Sequence, residues 1–145
     1  MPYDPRLVQP MRDELARAGV AELMTAESVE GFMQAGPGTA LLVVNSVCGC
    51  AAGGARPAVQ LALQHTNRPD RVGTVFAGQD LEATARARQF FGHLPPSSPC
   101  FALFKDGQVV HFVPRHHIEG RDPKSIALDL IAAFDSHCAG AGSRG

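Results

Sequence analysis

The chain has 145 residues, with 13 basic against 14 acidic side chains for a formal charge of −1, 45% hydrophobic residues and 19% charged ones. This balance gives no general electrostatic pull toward nucleic acid or anionic lipid, and the ordinary composition argues against a disordered or a membrane protein. The N-terminus, MPYDPRLVQPMRDE, holds no apolar run of signal-peptide length, and the longest apolar stretch, Ala40 to Val44, is too short to span a bilayer, so the expected location is the cytoplasm.

Asp4 followed by Pro5 reads as a helix cap and first-turn proline, with Leu7, Val8, Met11, Leu15 and Ala18 at helical spacing up to Gly19, and Pro10 has to sit near the first turn or kink the helix. A second helix starts at Thr25, with Glu27 in its first turn and Val29, Phe32 and Met33 on one face, and Gly36-Pro37-Gly38 ends it. Thr39 to Val47 is β-branched and almost wholly apolar, the pattern of a strand covered on both faces. From Cys50 to His65 the pattern turns helical, weakened in its first turns by Gly53, Gly54 and Pro57.

Arg71 to Ala77 reads as another strand, followed by a helix capped near Asp80 and carried by Leu81, Ala85 and Phe90. Cys100 to Phe104 and Val109 to Val113 flank an Asp106-Gly107 turn, which predicts a hairpin. Asp122 and Pro123 open a last helix with Ile126, Leu130, Ile131 and Phe134 on its apolar positions. This order predicts an α/β, thioredoxin-like fold, a central mixed β-sheet flanked by helices with extra N-terminal helices, as one domain over residues 1–139 with a disordered tail at 140–145.

Four cysteines without an export signal point to reactive or ligand thiols rather than a disulfide framework. In a thioredoxin-like domain the reactive thiol sits where the first βαβ strand ends and its helix begins, which is where Cys48-Gly49-Cys50 falls. A thiolate there faces unpaired backbone N–H groups and the positive end of the helix dipole, which lower its pKa. Cys48 is the expected nucleophile and Cys50 the resolving thiol. A single intervening residue makes their disulfide ring small and strained, and Gly49 permits backbone angles and an approach that a side chain would block. Packing of small residues, or half of a thiolate metal site, is the competing reading of the pair; no second CxC or CxxC exists to complete a metal set, and no metal or cofactor is expected.

Ser98-Pro99 precedes a strand at the place where thioredoxin-like proteins carry a cis-proline, so Pro99 is the expected cis residue and Ser98 the one offering backbone groups to a bound thiol substrate, against an ordinary trans loop proline. Cys100 reads as buried filler or as a third thiol near the pair, and Cys138 as structural, with surface oxidation to a dimer as the alternative. Arg115, His116 and His117 form a basic cluster able to raise local potential or shuttle a proton if folded near Cys48, or else solvated loop residues. Asn45 and Ser46 orient Cys48 or merely end the strand.

The run Val44-Asn45-Ser46-Val47-Cys48-Gly49-Cys50-Ala51-Ala52-Gly53 resembles the bacilliredoxins, and the likeness extends through Val75 to Asp80, Pro96 to Pro99, Val110 to His116, Ile118-Glu119-Gly120 and Phe134 to Cys138. The resemblance implies removal of bacillithiol, a low-molecular-weight thiol, from protein cysteines: Cys48 attacks the mixed disulfide and becomes bacillithiolated. Its implied partners are S-bacillithiolated proteins, bacillithiol itself and a disulfide reductase system that regenerates Cys48. Cys100 stands where the family pattern has a serine. A general protein disulfide isomerase or reductase is the second reading, and a metal-binding or carrier protein using Cys48, Cys50 and Cys100 the third.

Overall fold

The computed structural model describes residues 2–138, so the tail at 140–145 lies outside the described residues. The first helix, α1 (Pro5–Ala16), is capped by Asp4, whose carboxylate accepts the Arg6 N–H at 2.9 Å, and it buries Val8, Arg12 and Leu15. Pro10 lies inside this helix rather than in its first turn, which leaves the Arg6 carbonyl without its helical donor. A two-residue strand, β1 (Ala21–Glu22), follows; so short a piece shows no alternation and was not foreseen. Helix α2 (Ala26–Met33) starts on a capping box between Thr25 and Ser28.

Strand β2 (Thr39–Asn45) is buried at every position, β3 (Arg71–Phe76) lies beside it, and β4 (Cys100–Lys105) and β5 (Gln108–Val113) form the expected hairpin. Asp106 at φ 50° and Gly107 at φ 83° give the hairpin its two left-handed turn residues. The strand order is β1-β3-β2-β4-β5; β1, β3 and β2 run parallel, β4 runs antiparallel to β2 and β5 antiparallel to β4. This mixed five-stranded sheet is the α/β architecture expected of the sequence.

The period of two along β2 splits its side chains between two cores. Leu41 and Val43 join Phe101, Leu103 and the apolar faces of α3 (Arg56–Ala62) and α5 (Pro123–His137). Ala40, Leu42 and Val44 join Val75, Ala102, Phe104 and the faces of α2 and α4 (Leu81–Gln89). Gly73 of β3 is required by the second core, since a Cβ there would stand 2.9 Å from both Leu23 and Phe32.

One expectation for α4 is corrected and another refined. Its buried face is Ala83, Thr84 and Ala87, while Leu81 and Ala85 are exposed, because small residues are what let the helix approach the sheet closely. Asp80 is the N-cap residue, its carbonyl accepting the Thr84 N–H at 2.9 Å, but its carboxylate makes no capping bond and instead grips the Arg12 guanidinium through two hydrogen bonds of 2.7 and 2.9 Å. Among the described residues no helix is long and apolar enough to cross a membrane.

Candidate functional site

The chain leaves β2 at Asn45 and turns through a relay of short hydrogen bonds. The Asn45 Oδ1 accepts the Ser46 N–H at 2.8 Å, the Ser46 Oγ accepts the Cys48 N–H at 3.2 Å, and the Cys48 carbonyl accepts the N–H groups of Ala51 and Ala52 at 3.1 and 3.2 Å. Asn45 and Ser46 therefore do orient Cys48. Gly49 and Cys50 begin the helical run, which passes through a π-helical turn, Ala51–Ala55, before α3. The weakness expected of the glycine-containing first turns takes this form: a wider turn closing on i→i+5 bonds, a kind found often at functional sites.

Cys48 and Cys50 bring their sulfurs to 2.7 Å, both thiols half-buried and not in a disulfide. Burial opposes the Cys48 thiolate, but hydrogen bonds from the Cys50 thiol, from Ser46 and from the backbone N–H groups of Ala51 and Cys50 outweigh it and hold its pKa below the ordinary thiol value. Burial, together with the hydrogen bond to Cys48 and the charge there, pushes Cys50 up, against a weaker pull from Arg115. The two thiols are thus driven apart: Cys48 is the member that ionises and Cys50 the member that keeps its proton and donates it as a hydrogen bond. Only the thiolate attacks a disulfide, and the shifts favour it at Cys48.

Beneath this loop lies a residue that sequence reasoning missed. Arg56 is almost wholly buried, and its Nη1 donates to the Asn45 Oδ1 at 3.0 Å and to the Ser46 carbonyl at 2.7 Å, while its Nε pairs with Glu14 of α1. The Asn45 amide in turn donates to the Met11 carbonyl at 3.4 Å. The N-terminal helix is in this way bonded to the loop that presents Cys48. The only trace in the sequence was a charged residue among alanines and a valine on the helix after the cysteines.

The Ser98-Pro99 peptide bond is cis, as expected. The β2–β4 ladder ends where Val44 pairs with Cys100, so Pro99 immediately precedes β4 at the end of β2 that leads to Cys48. Arg115 ties this loop down, its backbone N–H donating to the Ser97 Oγ at 3.3 Å and its Nη1 to the Ser98 carbonyl at 3.1 Å. The same Arg115 lines an open cleft of about 410 Å³ with Gly49, Cys50, Gly53, Gly54 and the segment Ile118 to Arg121. Gly49 lines this cleft, and Ser98 and Pro99 do not. His116 and His117 are exposed and pack against each other, ring centroids 4.4 Å apart, away from the cleft lining.

Cys100 does not join the pair. It packs into the core beneath α2 and α4, whereas Cys48 and Cys50 pack against the core on the opposite face of the sheet, and its burial pushes its pKa up to about 12. Cys138 is buried at the end of α5, which fits the structural reading and not surface oxidation. Among the described residues no group of three or more His, Cys, Asp or Glu side chains is placed to hold a metal ion.

Residues 3–138 match the family described as disulphide isomerase. The chain is 58% identical over 140 residues to a bacilliredoxin of Salinibacter ruber, covering 95% of this chain and 82% of that protein. It is 56% identical over 133 residues to a bacilliredoxin of Cytophaga hutchinsonii, covering 92% and 98%. Among solved structures it is similar in fold to Fasciola hepatica thioredoxin, with a TM-score of 0.54 at 18% identity over 79% of this chain and 99% of that one. It is also similar to a chain in the complex of ferredoxin:thioredoxin reductase with thioredoxin f2, with a TM-score of 0.53 at 20% identity over 81% and 93%. A paired-thiol site on a mixed sheet of this topology, matched along nearly its whole length by these relatives, places the chain in the bacilliredoxin family, as a thiol–disulfide oxidoreductase of thioredoxin fold.

Proposed function

We propose that the chain strips bacillithiol from protein cysteines, with Cys48 as nucleophile and Cys50 as resolving thiol. The Cys48 thiolate attacks the bacillithiol sulfur of a protein–bacillithiol mixed disulfide. That S–S bond breaks, the protein cysteine leaves as a thiolate and takes up a proton, and the new disulfide joins Cys48 to bacillithiol. Cys50 then loses its proton and attacks the Cys48 sulfur, releasing bacillithiol and leaving a Cys48–Cys50 disulfide. Two electrons from a dithiol reductase system return the pair to thiols.

The observation that carries this reading is the sulfur pair at 2.7 Å with pKa values displaced in opposite directions, Cys48 down and Cys50 up. The names of the relatives support bacillithiol as the thiol. Incubation with a bacillithiolated protein tests it: Cys50→Ser accumulates a bacillithiol adduct on Cys48 by mass spectrometry, and Cys48→Ser accumulates none. Equal adducts in both variants would overturn the assignment.

The description of the matched family favours a second reading, general disulfide isomerisation or reduction. It predicts faster turnover of a scrambled disulfide protein than of a bacillithiolated one, and a direct comparison of the two rates separates the readings.

A further inference from the structure

The cleft beside the thiols has a floor and a wall of different chemistry. Its floor is glycine: a Cβ added to Gly49 or Gly53 would meet nothing within 4 Å, so the space over this stretch is open, while one added to Gly54 would press on Ile126 and Ile118 at 3.3 and 3.4 Å. A volume of about 410 Å³ is within the range of small-molecule pockets and far too small for a folded protein surface.

Two guanidinium groups border it, and they are not equivalent. Arg121 is the more tightly held, its Nη1 bonded to the His117 carbonyl and to Asp129 and its Nη2 to the Ser125 carbonyl, at 2.6 to 3.1 Å. Arg115 spends Nη1 on the Ser98 carbonyl, and its Nε faces Glu119 only at 3.6 Å, both groups being about half exposed. A solvated contact of that length is weak and readily displaced. The remaining donors of Arg115 thus border the cleft next to Cys50, on a side chain anchored by the cis-proline loop.

We infer that this cleft receives the small-thiol half of the mixed disulfide, and that Arg115 selects small thiols bearing a carboxylate. The inference rests on the de-thiolation reading above and adds to it the subsite and its charge preference. The glycine floor leaves room for the group attached to the sulfur that Cys48 attacks, and Arg115 meets an anionic substituent there with a charge-assisted hydrogen bond. The protein half of the substrate stays outside, so one enzyme accepts many proteins carrying the same small thiol.

The test uses the full chain and one carrier protein with a single cysteine capped by 3-mercaptopropionate, by 2-mercaptoethanol or by cysteamine, giving an anionic, a neutral and a cationic cap of similar size. De-capping rates are divided by those of dithiothreitol on the same substrates, which removes intrinsic reactivity. The wild type prefers the anionic over the neutral cap by about tenfold and disfavours the cationic one, with the preference shrinking as salt rises. Arg115→Gln brings the anionic-to-neutral ratio close to one, and Arg115→Lys keeps part of it. A purely structural role for Arg115 would lower all three rates and leave the ratio unchanged, and that result overturns the inference. Gly53→Leu, whose side chain enters the open space, slows de-capping of all three caps several-fold; full rates with that variant would likewise place the small thiol elsewhere. Failure of Cys50→Ser to form a Cys48 adduct with any cap would instead sink the underlying reading of the reaction.

Discussion

The guanidinium of Arg56 donates to the main-chain carbonyl of Ser46 at 2.7 Å, holding from below the residue whose hydroxyl receives the Cys48 N–H. The position of Cys48 therefore depends on a buried cation that never touches it. Arg56→Met leaves the Ser46 carbonyl and Glu14 without this partner, and the expected loss of stability is about 2–4 kcal/mol in urea unfolding. Arg56→Lys restores a charge near Glu14 but not the planar fork, so it lands between the two. A variant as stable as wild type would show that the loop holds itself.

Cys48 should alkylate as a thiol acidified by its neighbours. Reaction with iodoacetamide follows the thiolate, so the rate-against-pH curve has its midpoint below that of an ordinary thiol. Cys50→Ala and Ser46→Ala each remove a group that stabilises the anion, and each moves the midpoint upward. Removing both donors should move the midpoint further than either change alone, leaving only the backbone N–H groups of Ala51 and Cys50 to oppose burial. If neither single variant shifts the curve, the hydrogen bonds are not the source of the acidity.

For Cys100 the sign is reversed. Folding holds this thiol protonated to about 12, whereas in the unfolded chain it ionises near ~8.5. The folded protein consequently loses stability as pH rises from the lower value toward the upper, and nothing from this group below it. Cys100→Ala should flatten the decline in unfolding free energy measured between neutral and strongly alkaline pH. Native protein should also leave Cys100 unlabelled by a thiol reagent that titrates Cys48. Rapid labelling of Cys100 would mean the sheet opens far more readily than its burial implies.

Arg12 joins α1 to two other elements, Asp80 ahead of α4 and Glu22 in β1, with its guanidinium 5.3 Å from the centre of the Phe76 ring. Arg12 and Asp80 are each 9% exposed, so solvent screens the pair little. Arg12→Met strands two carboxylates, one of them already raised by burial, and should cost about 3–5 kcal/mol. The corresponding fall in Tm is roughly 10 °C for a chain of this size, checked by calorimetry. A fall of only a degree or two would show that α1 is held mainly by its apolar face.

Much of this was legible in the residues, for reasons the structure makes plain. The β2 run is read easily because it is apolar on both faces and both faces are covered; it ends at Asn45 rather than Val47 because Ser46 and Asn45 use their side chains to bond the turn. Caps such as Asp4 and Asp122 act over two or three residues, so their signal is local. Cys48 and Cys50 were legible for the same reason, their chemistry being set by a junction contained in a few consecutive residues.

Other features depended on distant partners. Asp80 has the form of a cap, but its carboxylate is taken by Arg12 from the far end of the chain. Arg56 looks like a solvated helical residue until Asn45, Ser46 and Glu14 are brought around it. Arg115 shared a cluster with two histidines in the sequence, and only folding separates it from them, turning it to the cleft while they remain in solvent.

The π-helical turn Ala51–Ala55 acts as a phase adjuster between the thiols and the helix that supports them. A π turn takes up one residue more than an α turn, and one residue is about 100° of rotation around an α-helix. With that residue removed, the face of α3 carrying Arg56 would swing from the Asn45 loop toward a neighbouring quadrant, and the cation would leave its three acceptors. The stretch after the cysteines is thus counted as well as composed: its length aims Arg56, so that a one-residue deletion would misdirect the support of Cys48 while leaving both cysteines in the chain.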